Sequence, residues 1–178
     1  MKQLLINLYG GPGTGKSTTA AHVFAELKWR GVSSELVTEY AKDLTWQESF
    51  KVRENQLYIF GKQQQRLTRL KDKVKIIVTD SPLLMGLHYG ADNTSDLFKQ
   101  LVIEENSKFE SLDFFLVRKK AYDSNGRTQT ETEARDIDVS VRKILHDLNV
   151  PYIELPGEKE SVSTIVELAL HKYNKICE

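Results

Sequence analysis

Gly10–Ser17 read GGPGTGKS and follow directly on the apolar run Leu4–Tyr9, LLINLY. The octet has the spacing G-x-x-x-x-G-K-[ST], in which a buried strand feeds a glycine turn that opens a helix. Glycines at 10, 11, 13 and 15 leave room for successive backbone N–H groups to converge on one anion. The helix expected from about Lys16 to Arg30 adds the partial positive charge of its N-terminus at the same point. On this reading Gly11, Gly13, Thr14, Gly15, Lys16, Ser17 and Thr18 bind the phosphates of ATP. Lys16 reaches the β- and γ-phosphates, and the Ser17 hydroxyl ligates Mg²⁺.

Working outward, strand and helix signals alternate. Glu35–Thr38 reads as a second strand, and a long helix is expected from about Trp46 to Lys71. Val74–Asp80 is β-branched and apolar like a central parallel strand. A helix over Thr94–Phe109 rests on Leu97 and Leu101, with Phe98 and Val102 alongside, and a fourth strand spans Leu112–Val117. Thr130 and Glu133 form a capping box for a helix with one apolar stripe, Ile137, Val141, Ile144, Leu145 and Leu148. Pro151–Leu155 and a final helix complete the pattern. Five strands with helical crossovers predict an α/β fold, a parallel sheet covered on both faces. The 178 residues fit a single domain, 1–178.

Lys+Arg 25 balances Asp+Glu 25, so net charge alone points to no nucleic-acid partner. The charge is locally segregated, however: Lys62–Lys75 carries six cations against Asp72. Such a run suits either a solvated helix face or a phosphate-backbone contact. The single cysteine, Cys177, excludes an internal disulfide and a thiolate metal cluster, which suits a cytoplasmic protein. No apolar run approaches the length of a membrane span.

Acids that end strands at the carboxyl edge of such a sheet face its ligand crevice. Asp80 ends the run IIVTD and is expected to complete the Mg²⁺ shell with Ser17; Glu39 ends the second strand. A carboxylate at Glu39 suits a base for an acceptor hydroxyl, or a metal-positioning acid. The polar segment 119–130 leaves the fourth strand at the same edge and reads as a lid, with Arg118 and Arg127 as arginines that stabilise transferring phosphate. Gln64 falls in line with Leu57, Phe60 and Leu67, where an amide suits a nucleobase edge. Tyr40 and Trp46 are candidates for stacking on a base, and Asp43 is a further acid on the acceptor side.

GGPGTGKS, the segment VTEYAKD (37–43), VTDSP (78–82) and RKKAYDSNGRTQTETEA (118–134) together resemble a group of small P-loop kinases. That AAA-type ATP-binding group includes the ribosylnicotinamide-kinase domain of NadR-type proteins and many phage-encoded relatives. The resemblance implies a P-loop NTPase fold with strand order 2-3-1-4-5. It also implies phosphorylation of a hydroxyl on a nucleoside or nucleotide. Phage relatives are similar to kinases that act on 5-hydroxymethyluracil within DNA, which would give the basic run a backbone to contact. The loop centre here is Pro12-Gly13-Thr14, where the NadR pattern is serine-rich. A small NTPase, or a nucleotide-binding regulator without an acceptor, stands beside the kinase reading.

Overall fold

A computed structural model describes residues 2–91, 93–119, 122 and 129–178. Among the described residues the elements run β1 (Leu4–Tyr9), α1 (Lys16–Trp29), β2 (Ser34–Val37), α2 (Tyr40–Trp46), α3 (Phe50–Arg53), α4 (Gln56–Thr68) and β3 (Ile76–Thr79). There follow α5 (Met85–Tyr89), α6 (Asp96–Ser107), β4 (Glu110–Val117), α7 (Glu131–Asp147), β5 (Ile153–Pro156) and α8 (Ser161–Cys177). The strands form one parallel sheet in the order β2-β3-β1-β4-β5. This is the P-loop NTPase-like arrangement, with β1 central and buried at all six positions.

Side-chain alternation along β1 divides the core in two. Leu4, Ile6 and Leu8 pack beneath α1 and α8, against Val23, Leu27, Ile165 and Val166. Leu5 and Tyr9 face the opposite layer, which contributes Phe60, Leu67, Phe98 and Val141. The capping box on α7 is present: Glu133 N donates to Thr130 Oγ1 at 3.3 Å, and Thr130 N donates to Glu133 Oε2 at 2.6 Å. Among the described residues no helix is long and apolar enough to cross a membrane.

Two expectations are corrected. The single helix from Trp46 to Lys71 is instead three, α2, α3 and α4. Glu48 takes a left-handed φ of 53° after α2, and the Asn55 side chain caps α4 by accepting from Tyr58 N at 3.1 Å. The chain therefore bends around a hollow instead of running past it. On α6 the buried stripe is Phe98 and Val102, and Leu97 is 75% exposed. Adjacent apolar pairs define two stripes about 100° apart. The stripe with the aromatic wins here, because Phe98 meets Phe60 edge to face at 5.4 Å.

A small polar cluster is buried within the sheet. Asp113 on β4 is 5% exposed and accepts from Asn7 Nδ2 at 2.9 Å and from Ser111 Oγ at 2.6 Å. Burial pushes its carboxyl above the ordinary range, outweighing those hydrogen bonds. A carboxyl raised in the folded state stabilises below the unfolded pKa, and that contribution is lost as pH rises through the folded value. Asp113→Asn keeps the shape and stays neutral. Its stability relative to the parent should therefore increase from pH 4 to pH 7, by an amount on the order of 1 kcal/mol. Urea unfolding at both pH values tests this, and parallel pH profiles for the two proteins would refute it.

Candidate functional site

The site begins where β1 stops. Gly13 and Gly15 hold φ at 82° and 94°, left-handed values that keep the loop circling back toward α1. Gly157, just after β5, packs against the loop from outside, and a Cβ there would lie 1.7 Å from the Thr14 carbonyl oxygen. α1 opens at Lys16 with no side-chain cap and no acid in its first turn. Its first N–H groups and its dipole are thus left to an external anion.

Lys16 Nζ donates to the carbonyls of Gly10 at 2.6 Å and Gly11 at 2.9 Å, lying back along its own loop. Burial lowers its pKa, opposed by the nearby carboxylates of Glu39, Asp80 and Asp138. Ser17 and Thr18 are at the start of α1 and line the same cavity as Asp80. Asp80 is 3% exposed, and its Oδ1 has no hydrogen-bond partner among the described residues. A buried, unpartnered carboxylate oxygen lining one cavity with a serine hydroxyl fits Mg²⁺, which keeps several waters and takes phosphate oxygens instead of a full protein cage.

Glu39 occupies the N-cap position of α2 without capping it. Burial raises its pKa, the Lys16 ammonium pulls it down, and the Asp80 carboxylate adds to the rise. Lys16, Glu39 and Asp80 all line one cavity of about 310 Å³. From the phosphate loop this cavity extends to a second end walled by α2, α3, α4 and α5, where Phe60 and Met85 are apolar and Gln63, Arg53 and Tyr89 are polar.

At that end the structure redistributes the expected residues. Gln64 points to α6 and donates to Glu105 Oε2 at 3.0 Å, away from the cavity. Its neighbour Gln63 is the buried amide: Oε1 accepts from Tyr40 N at 3.0 Å, and Nε2 has no partner among the described residues. Starting the stripe at Leu57 caused the one-residue slip, since Leu57 is 59% exposed and the inward row is Gln56, Ile59, Phe60, Gln63 and Leu67. Tyr40 and Asp43 also lie off the cavity. The Tyr40 hydroxyl meets that of Tyr58 at 3.0 Å, Arg66 lies 5.0 Å over the Tyr40 ring, and Arg66 pairs with Asp43. Trp46 does line the cavity and is 67% exposed at its rim.

Arg118 is placed differently from a lid arginine. Nη1 donates to the Pro12 carbonyl at 2.5 Å and Nη2 pairs with Asp138 Oδ2 at 3.1 Å, with 6% of the side chain exposed. Arg127 and most of the proposed lid lie outside the described residues; of that segment, Gln129 lines the cavity. Gln63, Arg53, Tyr89 and Asp138 escaped the sequence reading. Tyr89 adjoins both Glu39 and Arg53, and burial, with the Glu39 charge second, keeps its hydroxyl protonated far above neutrality. The only local signal for it was the turn after Ser81-Pro82, which places α5 back over the cavity.

Comparison with known proteins agrees with this architecture. Deoxyadenosine kinase from M. mycoides with bound dATP superimposes at TM-score 0.54 and 22% identity, covering 96% of this chain and 99% of that one. The structure of that enzyme with products dCMP and a flexible dCDP gives TM-score 0.60 at 18% identity, with the same coverage. Identities this low establish likeness of fold. No curated protein sequence matches. The AAA domain model matches residues 5–163, from β1 through the first turn of α8, and the chain belongs to that family.

Proposed function

We propose that the protein is an ATP- and Mg²⁺-dependent kinase that transfers the γ-phosphate to a hydroxyl of a nucleoside-type acceptor. The observation that carries this reading is the junction inside one cavity. A phosphate loop with Lys16 and Asp80 opens, past Glu39, into a pocket lined by Gln63, whose Nε2 has no partner among the described residues. A hydrolytic switch or a binding regulator has no need of that second end. The fold shared with deoxyadenosine kinase from M. mycoides is consistent with it, as is the resemblance to ribosylnicotinamide-kinase-like proteins.

The residues divide the reaction between them. The loop N–H groups and Lys16 hold the β- and γ-phosphates, Lys16 leaving the Gly10 and Gly11 carbonyls to do so. Ser17 Oγ and Asp80 would hold Mg²⁺, which when bound would neutralise charge on the phosphate oxygens. Gln63 fixes the acceptor: with Oε1 turned to Tyr40 N–H, its Nε2 donates to an oxygen or ring nitrogen on a base edge. Glu39 takes the proton of the acceptor hydroxyl as that oxygen bonds to the γ-phosphorus. The bond from phosphorus to the β–γ bridging oxygen breaks, and ADP carries away the released electron pair.

A finer reading is an acceptor hydroxyl carried on a modified base in DNA, 5-hydroxymethyluracil being the specific candidate. The basic run gives this only partial support. Arg66 is committed to Asp43, and Lys71, Lys73 and Lys75 lead into β3 at the amino edge of the sheet, opposite the cavity. What favours DNA is the cavity rim, where exposed Trp46 is joined by Lys42. The neighbouring α3 carries exposed Phe50 and Lys51. Aromatic faces interleaved with cations suit a strand of nucleic acid.

Three outcomes are expected. Lys16→Ala should abolish transfer from radiolabelled ATP while circular dichroism stays unchanged, a loss of about 3 kcal/mol or more of transition-state stabilisation. Full activity in the folded variant would remove the kinase assignment, and labelled phosphate without labelled acceptor would indicate an NTPase.

Glu39→Gln should lower kcat by roughly 10² while calorimetric ATP affinity stays near the parent's. The base must be ionised and its pKa is raised, so parent kcat should climb with pH through a limb above the ordinary carboxylate range. That limb should vanish in the variant. Parent-like turnover by Glu39→Gln would move the base elsewhere.

With duplex DNA containing 5-hydroxymethyluracil as acceptor, labelling should fall steeply between about 50 and 200 mM salt, unlike labelling of a free nucleoside. Lys51→Glu, on α3 and away from Glu39, should weaken the DNA reaction alone. Turnover of free nucleosides with no DNA labelling at low salt would leave the nucleoside reading and discard the DNA one.

A further inference from the structure

Where α7 meets the phosphate loop, an anion is built into the protein. Asp138 on α7 accepts from the backbone N–H of Gly11 at 2.5 Å through Oδ1, and pairs with Arg118 Nη2 at 3.1 Å through Oδ2. Arg118 Nη1 in turn donates to the carbonyl of Pro12, the next loop residue. The pair is nearly dry, with 6% of the Arg118 side chain and 14% of that of Asp138 exposed. Arg118 Nε is buried with no hydrogen-bond partner among the described residues. Gly11 is fitted against α7 so closely that a Cβ would lie 2.3 Å from the Ala134 carbonyl oxygen and 2.9 Å from Asp138 Oδ1.

A backbone N–H of a phosphate loop and an arginine are two donors suited to phosphate oxygens, and here one carboxylate engages both. We propose that Asp138 is a positioning residue that sets the nucleotide affinity of this site, acting as a built-in counter-anion that holds Arg118 on the loop and balances its charge until a nucleoside triphosphate supplies negative charge instead. The inference rests on the nucleoside-triphosphate reading of the loop.

The effect is electrostatic. Arg118 and Asp138 are both close enough to Lys16 to perturb its titration in opposite directions, so both belong to the field that the phosphates meet. In the free protein the carboxylate stabilises a guanidinium that would otherwise be buried without a counter-charge. In the nucleotide complex the same carboxylate repels the polyphosphate through a poorly screened interior. One residue thus favours the free fold and disfavours the complex. A purely structural residue would affect both in the same direction.

Asp138→Asn keeps the shape and removes the charge. Its thermal midpoint without nucleotide should fall by about 5 °C or more. Its affinity for ATP·Mg²⁺ by calorimetry should rise about tenfold, and saturating ATP should recover most of the lost midpoint. A variant that is less stable and binds ATP equally or more weakly overturns the inference, because Asp138 is then structural only.

Should Asp138→Asn not fold, a neutral pair provides the same test. Arg118→Met leaves the carboxylate facing the phosphates alone, so it should bind ATP about tenfold more weakly than Arg118→Met with Asp138→Asn; equal affinities overturn the inference. Absence of ATP binding by the unaltered protein overturns the nucleotide reading and this inference together. Normal ATP binding by the unaltered protein with no gain in the variants overturns this inference alone.

Discussion

The ammonium of Lys16 is the charge around which the rest of the site is organised. It belongs to the first turn of α1, at the positive end of the helix dipole, and is buried. Each of these features disfavours a cation, and burial lowers its pKa accordingly. It stays serviceable because three carboxylates from three different elements approach it: Glu39 after β2, Asp80 after β3 and Asp138 on α7. The parallel sheet makes this convergence possible, since strands running the same way deliver their following loops to one edge.

The two layers covering the sheet do different work. The layer of α1 and α8 is apolar where it meets β1, and its task is to hold the strand that carries the loop. The layer of α4, α5 and α7 carries the buried polar groups: Gln63, Tyr89 and Asp138, with Asp113 beneath. Polar burial is costly without partners, so this layer holds its shape through specific bonds, such as Tyr40 N–H to Gln63 and Arg118 to Asp138, instead of uniform packing. Those are also the bonds a ligand is able to compete with.

How much was legible in the sequence follows the range of the interactions concerned. The loop, the strand before it and the helix after it were readable because motif and context lie within thirty residues, and the capping box on α7 because it is a four-residue device. Asp80 and Glu39 were readable because a strand end fixes where a side chain goes. Gln63 was lost by one position because Leu57, apolar but 59% exposed, suggests a stripe through Gln64, whereas the buried row of α4 runs through Phe60, Gln63 and Leu67. Asp138 was out of reach altogether: it meets Gly11 across 127 positions, and on an amphipathic helix it reads as one more solvent-facing acid. Tyr40 and Asp43 misled because a conspicuous aromatic and acid beside Glu39 are occupied by Arg66, a partner 23 positions past Asp43.

The coupling of Lys16 and Glu39 has a consequence for the order of events in the proposed transfer. In the free protein Lys16 is the main influence holding the Glu39 pKa down against burial. When phosphates engage Lys16, that ammonium is compensated by closer negative charge, and the phosphates themselves disfavour a second anion nearby. Glu39 therefore becomes a stronger base when the nucleotide is in place, with Arg53 and Lys42 the remaining cations that keep it ionised. Both come from the α2–α3 wall, so the elements that shape the acceptor pocket also keep the base deprotonated. In the proposed transfer, proton acceptance is thereby tied to occupancy of the phosphate end, because the base strengthens only once phosphates engage Lys16.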